Sequence, residues 1–180
     1  MSDKKPTVES SRYAHEGFFD LRIDTLRRDD QKTMEYTTLL TKTEAAIVLA
    51  KTEDQKWVLN REYRHAVGKY IIGLPGGRVE KGEDMIASAK RELLEETGYL
   101  ADTVHPLGIC YPLPSICDQK LEFFFAPNVK KKKEPSLDLF EYIDIVLMND
   151  EELYKALQTR SDIDAVLPTA LTYYKKLFSF

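Results

Sequence analysis

Five glutamates lie close together in the middle of the chain, between Gly76 and Tyr99. They are Glu80, Glu83, Glu92, Glu95 and Glu96. Residues three and four apart share one side of a helix, so Glu92, Glu95 and Glu96 are expected to project together. Their mutual repulsion disappears when a hard dication lies among them, and Mg²⁺ accepts oxygen ligands while keeping positions for water and phosphate. The pattern predicts a magnesium site, with Mn²⁺ as the second choice of metal; the alternative is a solvated helix face, which charge runs generally form.

The spacing around these glutamates matches a known signature. Five residues separate Gly77 from Glu83, and seven separate Glu83 from Arg91, which opens the run Arg91-Glu-Leu-Leu-Glu-Glu-Thr-Gly98. This segment resembles the signature of the Nudix hydrolases and departs from it only at Tyr99, a position that packs rather than reacts.

The resemblance implies a role for each residue of the signature. It makes the metal ligands Glu92, Glu95, Glu96 and the carbonyl of Gly76, and it also counts Glu95 as catalytic. It implies that Arg91 and Glu83 brace the loop against the helix, and that Gly77 and Gly98 have structural roles.

The resemblance extends over about residues 15–175, and within the family it is to the ADP-ribose and nucleoside diphosphate sugar pyrophosphatases. The segments that carry it are Gly17-Phe18-Phe19, Arg61-Glu62-Tyr63-Arg64, Leu74-Pro75-Gly76-Gly77 and Tyr111-Pro112-Leu113-Pro114-Ser115. It implies a substrate contact at Pro114 and an aromatic side chain, Phe18 or Phe19, that stacks on the nucleobase.

Two arginines before the signature are candidates for the substrate phosphates. A guanidinium binds two phosphate oxygens at once and stays charged, so Arg64 is the first choice and Arg61 the second. The alternative is a surface ion pair with a neighbouring acid.

The implied reaction is attack of water on phosphorus, with a carboxylate taking the proton. Glu141 is the candidate for this base, because the resembling enzymes have a catalytic or metal-binding glutamate in this region. Asp138 and Asp144 compete for the role.

The elements that position these residues can be predicted from hydrophobic periodicity. The predicted strands cover residues 18–24, 34–40, 45–50, 121–126 and 142–148, with a further strand opening at Trp57, and the predicted helices cover 83–97, 150–158 and 164–177. The charged stretch 130–139 reads as a loop. This order predicts an α+β fold, an α/β/α sandwich with helices on both faces of a mixed sheet. The Nudix resemblance adds an N-terminal antiparallel β extension.

The 180 residues, 43% of them hydrophobic, predict one domain at 13–180 behind a flexible tail at 1–12. By resemblance, the strands within 13–42 are expected to take part in a homodimer. A formal net charge of −4 gives no support for nucleic acid or an anionic membrane as partner. Two cysteines with no disulfide framework, and no apolar leader or membrane-spanning run, indicate a cytoplasmic protein.

The predicted function is magnesium-dependent hydrolysis of the pyrophosphate of nucleoside diphosphate sugars, with ADP-ribose giving AMP and ribose 5-phosphate. Two alternatives stay open. One is a Nudix hydrolase of nucleoside triphosphates, oxidised nucleotides or capped RNA, which shares the signature. The other is a non-catalytic nucleotide-sensing domain, although such domains usually lose signature carboxylates that this chain keeps.

Overall fold

The computed structural model of the chain describes residues 4–178, which form eleven strands and three α-helices. Contacts within the chain group these residues into two units. The first holds the residues up to Glu44 together with Tyr111–Lys120, and the second holds Ala45–Cys110 and the residues from Leu121 onward. None of the helices among residues 4–178 is long and apolar enough to cross a membrane.

The first unit contains an antiparallel sheet in the order β1-β2-β3. Its strands are β1 (Thr7–His15), β2 (Asp20–Arg27) and β3 (Thr33–Leu40). Every residue of β1 is exposed, so the strand has no buried face to produce an alternating hydrophobic pattern. This explains why residues 7–12, which were predicted to belong to a flexible tail at 1–12, lie in a strand that the sequence pattern did not indicate. Residues 1–3 of that tail lie outside the described residues.

The second unit is built on a mixed sheet. Its strands are β4 (Ala45–Thr52), β5 (Trp57–Arg64), β6 (Lys69–Gly73), β7 (Gly76–Arg78), β8 (Tyr99–Leu100), β9 (His105–Cys110), β10 (Leu121–Lys131) and β11 (Ile143–Met148). The main order is β11-β5-β4-β10-β8, and β6, β7 and β9 pair with β5, β4 and β10. The pair β4 and β10 is parallel, whereas the other pairs are antiparallel.

Helices cover both faces of this sheet, and β4 shows the division. Its side chains alternate between two hydrophobic cores, because successive residues of a strand point to opposite faces. Ala46, Val48 and Ala50 pack with helix α1 (Met85–Thr97). On the opposite face, Ile47 and Leu49 belong to the core that holds buried residues of α2 (Asp150–Thr159) and α3 (Val166–Phe178).

The predicted fold class is confirmed: a mixed sheet between helices, with N-terminal antiparallel strands. The single domain predicted for 13–180 stays a prediction, since the contacts form two units. Strand β10 runs on to Lys131, into the loop predicted for 130–139, because Lys130 and Lys131 pair with β8. This pairing joins residues about thirty positions apart, so local sequence carried no sign of it.

Candidate active site

The start of strand β7 lies so close to its neighbours that it requires glycine. Gly76 has a φ of 153°, and a Cβ on it would lie 2.4 Å from the carbonyl oxygen of Ala46. A Cβ on Gly77 would lie 2.5 Å from the carboxylate of Glu92. The two glycines therefore let the backbone pass between the sheet and the glutamates of helix α1.

Helix α1 carries those glutamates and is fixed at both ends. The carboxylate of Asp84 accepts the backbone N–H groups of Ile86 and Ala87 at 2.9 and 3.0 Å, so the helix begins two residues later than predicted. Gly98 ends it in the left-handed conformation, with its N–H donated to the carbonyl of Leu94 at 2.9 Å. Burial of Ala89 and Leu93 against the sheet sets the rotation of the helix and thus the direction of its glutamates.

Arg91 and Glu83 are in direct contact. Nε and Nη2 of Arg91 donate to the two carboxylate oxygens of Glu83 at 2.9 and 3.0 Å, and Nη2 also donates to the carbonyl of Arg78 at 3.1 Å. Hydrogen bonds from Arg91 lower the pKa of Glu83. The structure thus brings together the two residues that were expected to brace the loop against the helix.

The same guanidinium reaches two of the predicted metal ligands. Nη1 of Arg91 donates to Glu92 at 2.8 Å and to Glu95 at 3.0 Å. Within residues 4–178, no group of three or more His, Cys, Asp and Glu side chains is gathered as a metal site. The metal-binding roles of these residues stay predictions.

Glu96 is the most buried of the predicted ligands, with 6% of its surface exposed. Its Oε2 accepts hydrogen bonds from the backbone N–H of Gly76 at 3.1 Å and from Nδ2 of Asn60 at 3.3 Å. Burial, together with the nearby charges of Glu92, Glu62 and Glu141, raises the pKa of Glu96 well above its ordinary value.

The chemistry of this donor set fits a hard divalent cation. Burial also raises the pKa of Glu92, with further contributions from Glu95 and Glu141. Carboxylates that are penalised in their charged form gain most from a nearby dication, and carboxylate oxygens are the ligands that Mg²⁺ prefers.

Glu141 lies on the loop that follows β10. Its Oε2 accepts the backbone N–H of Asp138 at 3.0 Å, and its own N–H donates to the Asp138 carbonyl at 3.0 Å. The loop is tied to helix α1, because the N–H of Ser136 donates to the carbonyl of Glu95 at 2.7 Å. The charge of Glu141 contributes to the raised pKa of both Glu92 and Glu96. The contact of Ser136 with Glu95 thus joins the loop of Glu141 to helix α1.

Asp144, a competing candidate base, is directed elsewhere. It pairs across the sheet with Arg61 and accepts Nη1 of that arginine at 2.9 Å. Glu62 and Asn60 are one residue to either side of Arg61 on β5 and point to the opposite face, where Asn60 meets Glu96. Asp144 is thus on the face away from the helix glutamates.

Arg61 and Arg64, the two residues predicted to bind the substrate phosphates, also lie on opposite faces of β5. The guanidinium of Arg61 stacks 4.1 Å above the ring centre of Tyr70. Nη1 of Arg64 donates to the carboxylate of Glu62 at 2.5 Å, on the face that carries Asn60. This arrangement favours Arg64 over Arg61 as the residue available to a substrate bound beside α1.

Phe18, Phe19 and Pro114 belong to the first unit. The rings of Phe18 and Phe19 meet edge to face with centres 4.8 Å apart, and Phe18 is 68% exposed. Pro114 is exposed in a turn closed by a hydrogen bond from the N–H of Cys117 to the carbonyl of Leu113 at 2.8 Å. Their contacts with substrate stay predictions.

Asn60 and Glu62 belong to the site as well, although neither was predicted as a site residue. Burial is the main cause of the raised pKa of Glu62, opposed by Arg64 and reinforced by Glu141 and Asp164. The available signal was their spacing: two polar side chains, two residues apart, extend the face of β5 that begins with buried Val58.

Comparison with known proteins identifies the family of the chain. Residues 41–169 match the family profile described as NUDIX domain. An ADP-ribose pyrophosphatase of Bacillus subtilis (strain 168) is 31% identical over 130 residues, which cover 72% of this chain and 70% of that protein. A methanol dehydrogenase activator of Bacillus methanolicus has the same identity and coverage.

A solved structure supports the fold. The crystal structure of an ADP compounds hydrolase superposes with a TM-score of 0.86 at 23% identity, over 98% of this chain and 95% of that one. The profile match over residues 41–169 and the relatives at 31% identity confirm the prediction made from the signature. The chain belongs to the Nudix family.

Proposed function

We propose that this protein hydrolyses the pyrophosphate bond of nucleoside diphosphate sugars, with ADP-ribose as the preferred substrate. The observation that carries the proposal is the buried carboxylate of Glu96, which accepts hydrogen bonds from Gly76 and Asn60 and lies on the helix that also carries Glu92 and Glu95. The choice of ADP-ribose is supported by the relative of that name at 31% identity.

In this proposal, Glu92, Glu95, Glu96 and the carbonyl of Gly76 would hold Mg²⁺, with Mn²⁺ as the alternative metal. Bound there, the cation would neutralise charge on the pyrophosphate. The structural support is the hydrogen bond from the N–H of Gly76 to Glu96, which keeps the start of β7 beside the carboxylates of α1.

The chain's own residues supply the remaining parts of the reaction. Arg64 binds two phosphate oxygens of the substrate. To do so, its guanidinium gives up the hydrogen bond to Glu62 and donates to the phosphate instead. Glu141 accepts a proton from water as the water oxygen forms a bond to phosphorus. The bond between that phosphorus and the bridging oxygen breaks, and the leaving phosphate keeps the electron pair. The products are AMP and ribose 5-phosphate.

The test is to identify products after incubation with ADP-ribose, GDP-mannose and dGTP, each with Mg²⁺, with Mn²⁺ and with a chelator. Release of AMP and ribose 5-phosphate that requires the metal would support the proposal. Cleavage of dGTP alone would move the protein to the triphosphate hydrolases, and binding of nucleotide without any product would make it a sensor.

We also propose that the first unit forms a homodimer. All nine residues of β1 are exposed, and so are the large apolar side chains of Val8, Tyr13 and Met34. In such a dimer, Phe18 or Phe19 stacks on the nucleobase and Pro114 lines the substrate site. Light scattering that gives the mass of a monomer would refute the dimer.

A cytoplasmic location is part of the same proposal, because Cys110 and Cys117 are both free thiols. Fractionation of cells would test it, and recovery of the protein outside the cytoplasm would contradict it.

A further inference from the structure

Asn60 is a buried amide in the middle of strand β5. It is 1% exposed, and its neighbours along the strand, Val58 and Leu59, are apolar and buried. Its Oδ1 has no hydrogen-bond partner among residues 4–178. An unsatisfied buried acceptor lowers stability, so an apolar residue of similar size would suit folding better. Asn60 therefore has an explanation other than the stability of the sheet.

The other end of the same amide gives that explanation. Nδ2 of Asn60 donates to Oε2 of Glu96 at 3.3 Å, and the N–H of Gly76 donates to the same oxygen at 3.1 Å. Neither hydrogen bond involves Oε1. Two donors from different strands, β5 and the start of β7, thus fix one oxygen of the carboxylate and set the direction of the other.

Asn60 pairs with Gly73 across β5 and β6. Gly73 has no side chain, and a Cβ at that position would lie 3.2 Å from Oδ1 of Asn60. The glycine therefore leaves room for the buried amide, whose Nδ2 donates to Glu96.

We infer that Asn60 is a positioning residue that orients Glu96 for a divalent cation, through the hydrogen bond from Nδ2 to Oε2. This inference rests on the proposed function, because it takes Glu96 as a ligand. Groups that hold a metal ligand in place typically change metal affinity by about 10- to 100-fold when they are replaced.

The test compares Mn²⁺ affinity, measured by electron paramagnetic resonance, in the wild-type protein and in Asn60→Leu and Asn60→Asp. Leucine removes the donor at similar volume, and aspartate replaces the donor with an oxygen that repels Glu96. We expect both variants to bind Mn²⁺ about 10- to 100-fold more weakly. The matched control is Thr52→Val, which removes a buried hydroxyl, 5% exposed as a residue, from strand β4 away from Glu96. This control should keep the wild-type affinity.

A second readout needs no variant. In wild-type protein, titration with Mg²⁺ should shift the NMR signals of the Asn60 side-chain amide, because the acceptor of its hydrogen bond changes charge environment. Unshifted signals, or folded Asn60→Leu protein that binds Mn²⁺ with the wild-type affinity, would overturn the inference. Failure of the proposed function looks different: wild-type protein would not cleave ADP-ribose, while loss of Mn²⁺ affinity in Asn60→Leu would still support the positioning role.

Discussion

Arg91 forms a bidentate salt bridge with Glu83, in which Nε and Nη2 each donate to a different carboxylate oxygen at 2.9 and 3.0 Å. Both side chains are largely shielded from solvent, with 24% and 16% of their surfaces exposed. Bidentate pairs of this kind are stronger and more directional than single hydrogen bonds. The pair joins the segment that precedes α1 to the middle of that helix.

Replacing Glu83 by glutamine should lower stability in a pH-dependent way. Arg91 lowers the pKa of Glu83 below its ordinary value, so the carboxylate stabilises the fold above that value and loses this effect as the pH falls through the folded-state pKa. We expect Glu83→Gln to lower the Tm by about 2–4 °C at neutral pH, an amount that shrinks in acid. Thermal unfolding of both proteins from about pH 7 to pH 3 measures this. A constant difference across that range would contradict the assignment.

Glu141→Gln should reduce turnover by about two to four orders of magnitude, the usual span for loss of a general base. Asp144→Asn is the matched control, because Asp144 pairs with Arg61 on the other face of the sheet and should matter little. Single-turnover measurement with ADP-ribose and Mg²⁺ separates the two. Near-normal turnover in Glu141→Gln would reject it as the base.

Glu96→Gln should lose metal-dependent activity and yet gain stability in chelator. Burial raises the pKa of Glu96, so the folded state favours the uncharged carboxyl and its stability falls as the pH rises above the unfolded-state pKa. The neutral amide avoids that penalty, and its oxygen can still accept the N–H of Gly76. We expect a higher Tm than wild type at pH 7 with chelator, measured by calorimetry.

The control for this substitution is Glu151→Gln, a change of the same kind in the exposed first turn of α2. It should leave activity unchanged. If Glu96→Gln were active with Mg²⁺, the role of Glu96 as a metal ligand would be wrong. If the variant were less stable than wild type in chelator, the burial argument for this carboxylate would be wrong.

Arg64→Ala should raise the KM for ADP-ribose by about 10- to 100-fold, the value of one charge-assisted hydrogen-bonded contact. Arg61→Ala should raise it much less, because that guanidinium stacks on Tyr70 and bonds to Asp144. Steady-state kinetics of the two variants decide between the arginines. Equal effects would show that the face of β5 does not determine which arginine meets the phosphates.

Local signals in the sequence predicted the parts of the site that depend on short distances along the chain. Helix α1 and its end at Gly98 follow from spacing within one segment, and the resemblance to the Nudix signature implied the contact between Arg91 and Glu83. Asn60 was missed because its role depends on which face of β5 meets Glu96, thirty-six residues away. Strand β1 was missed because it buries no face. Contacts between distant segments, which no local periodicity reports, account for both failures.

The two cores on either side of strand β4 differ in the size of their side chains. The core under α1 includes five alanines, Ala46, Ala50, Ala89, Ala101 and Ala126. The opposite core contains Trp57, Phe123 and Phe125, with eight leucines. Small side chains let α1 lie close to the sheet, so added volume there would displace the glutamates. Substitutions in the core that contains Trp57, Phe123 and Phe125 can therefore raise the thermal stability of this enzyme without displacing the glutamates of α1.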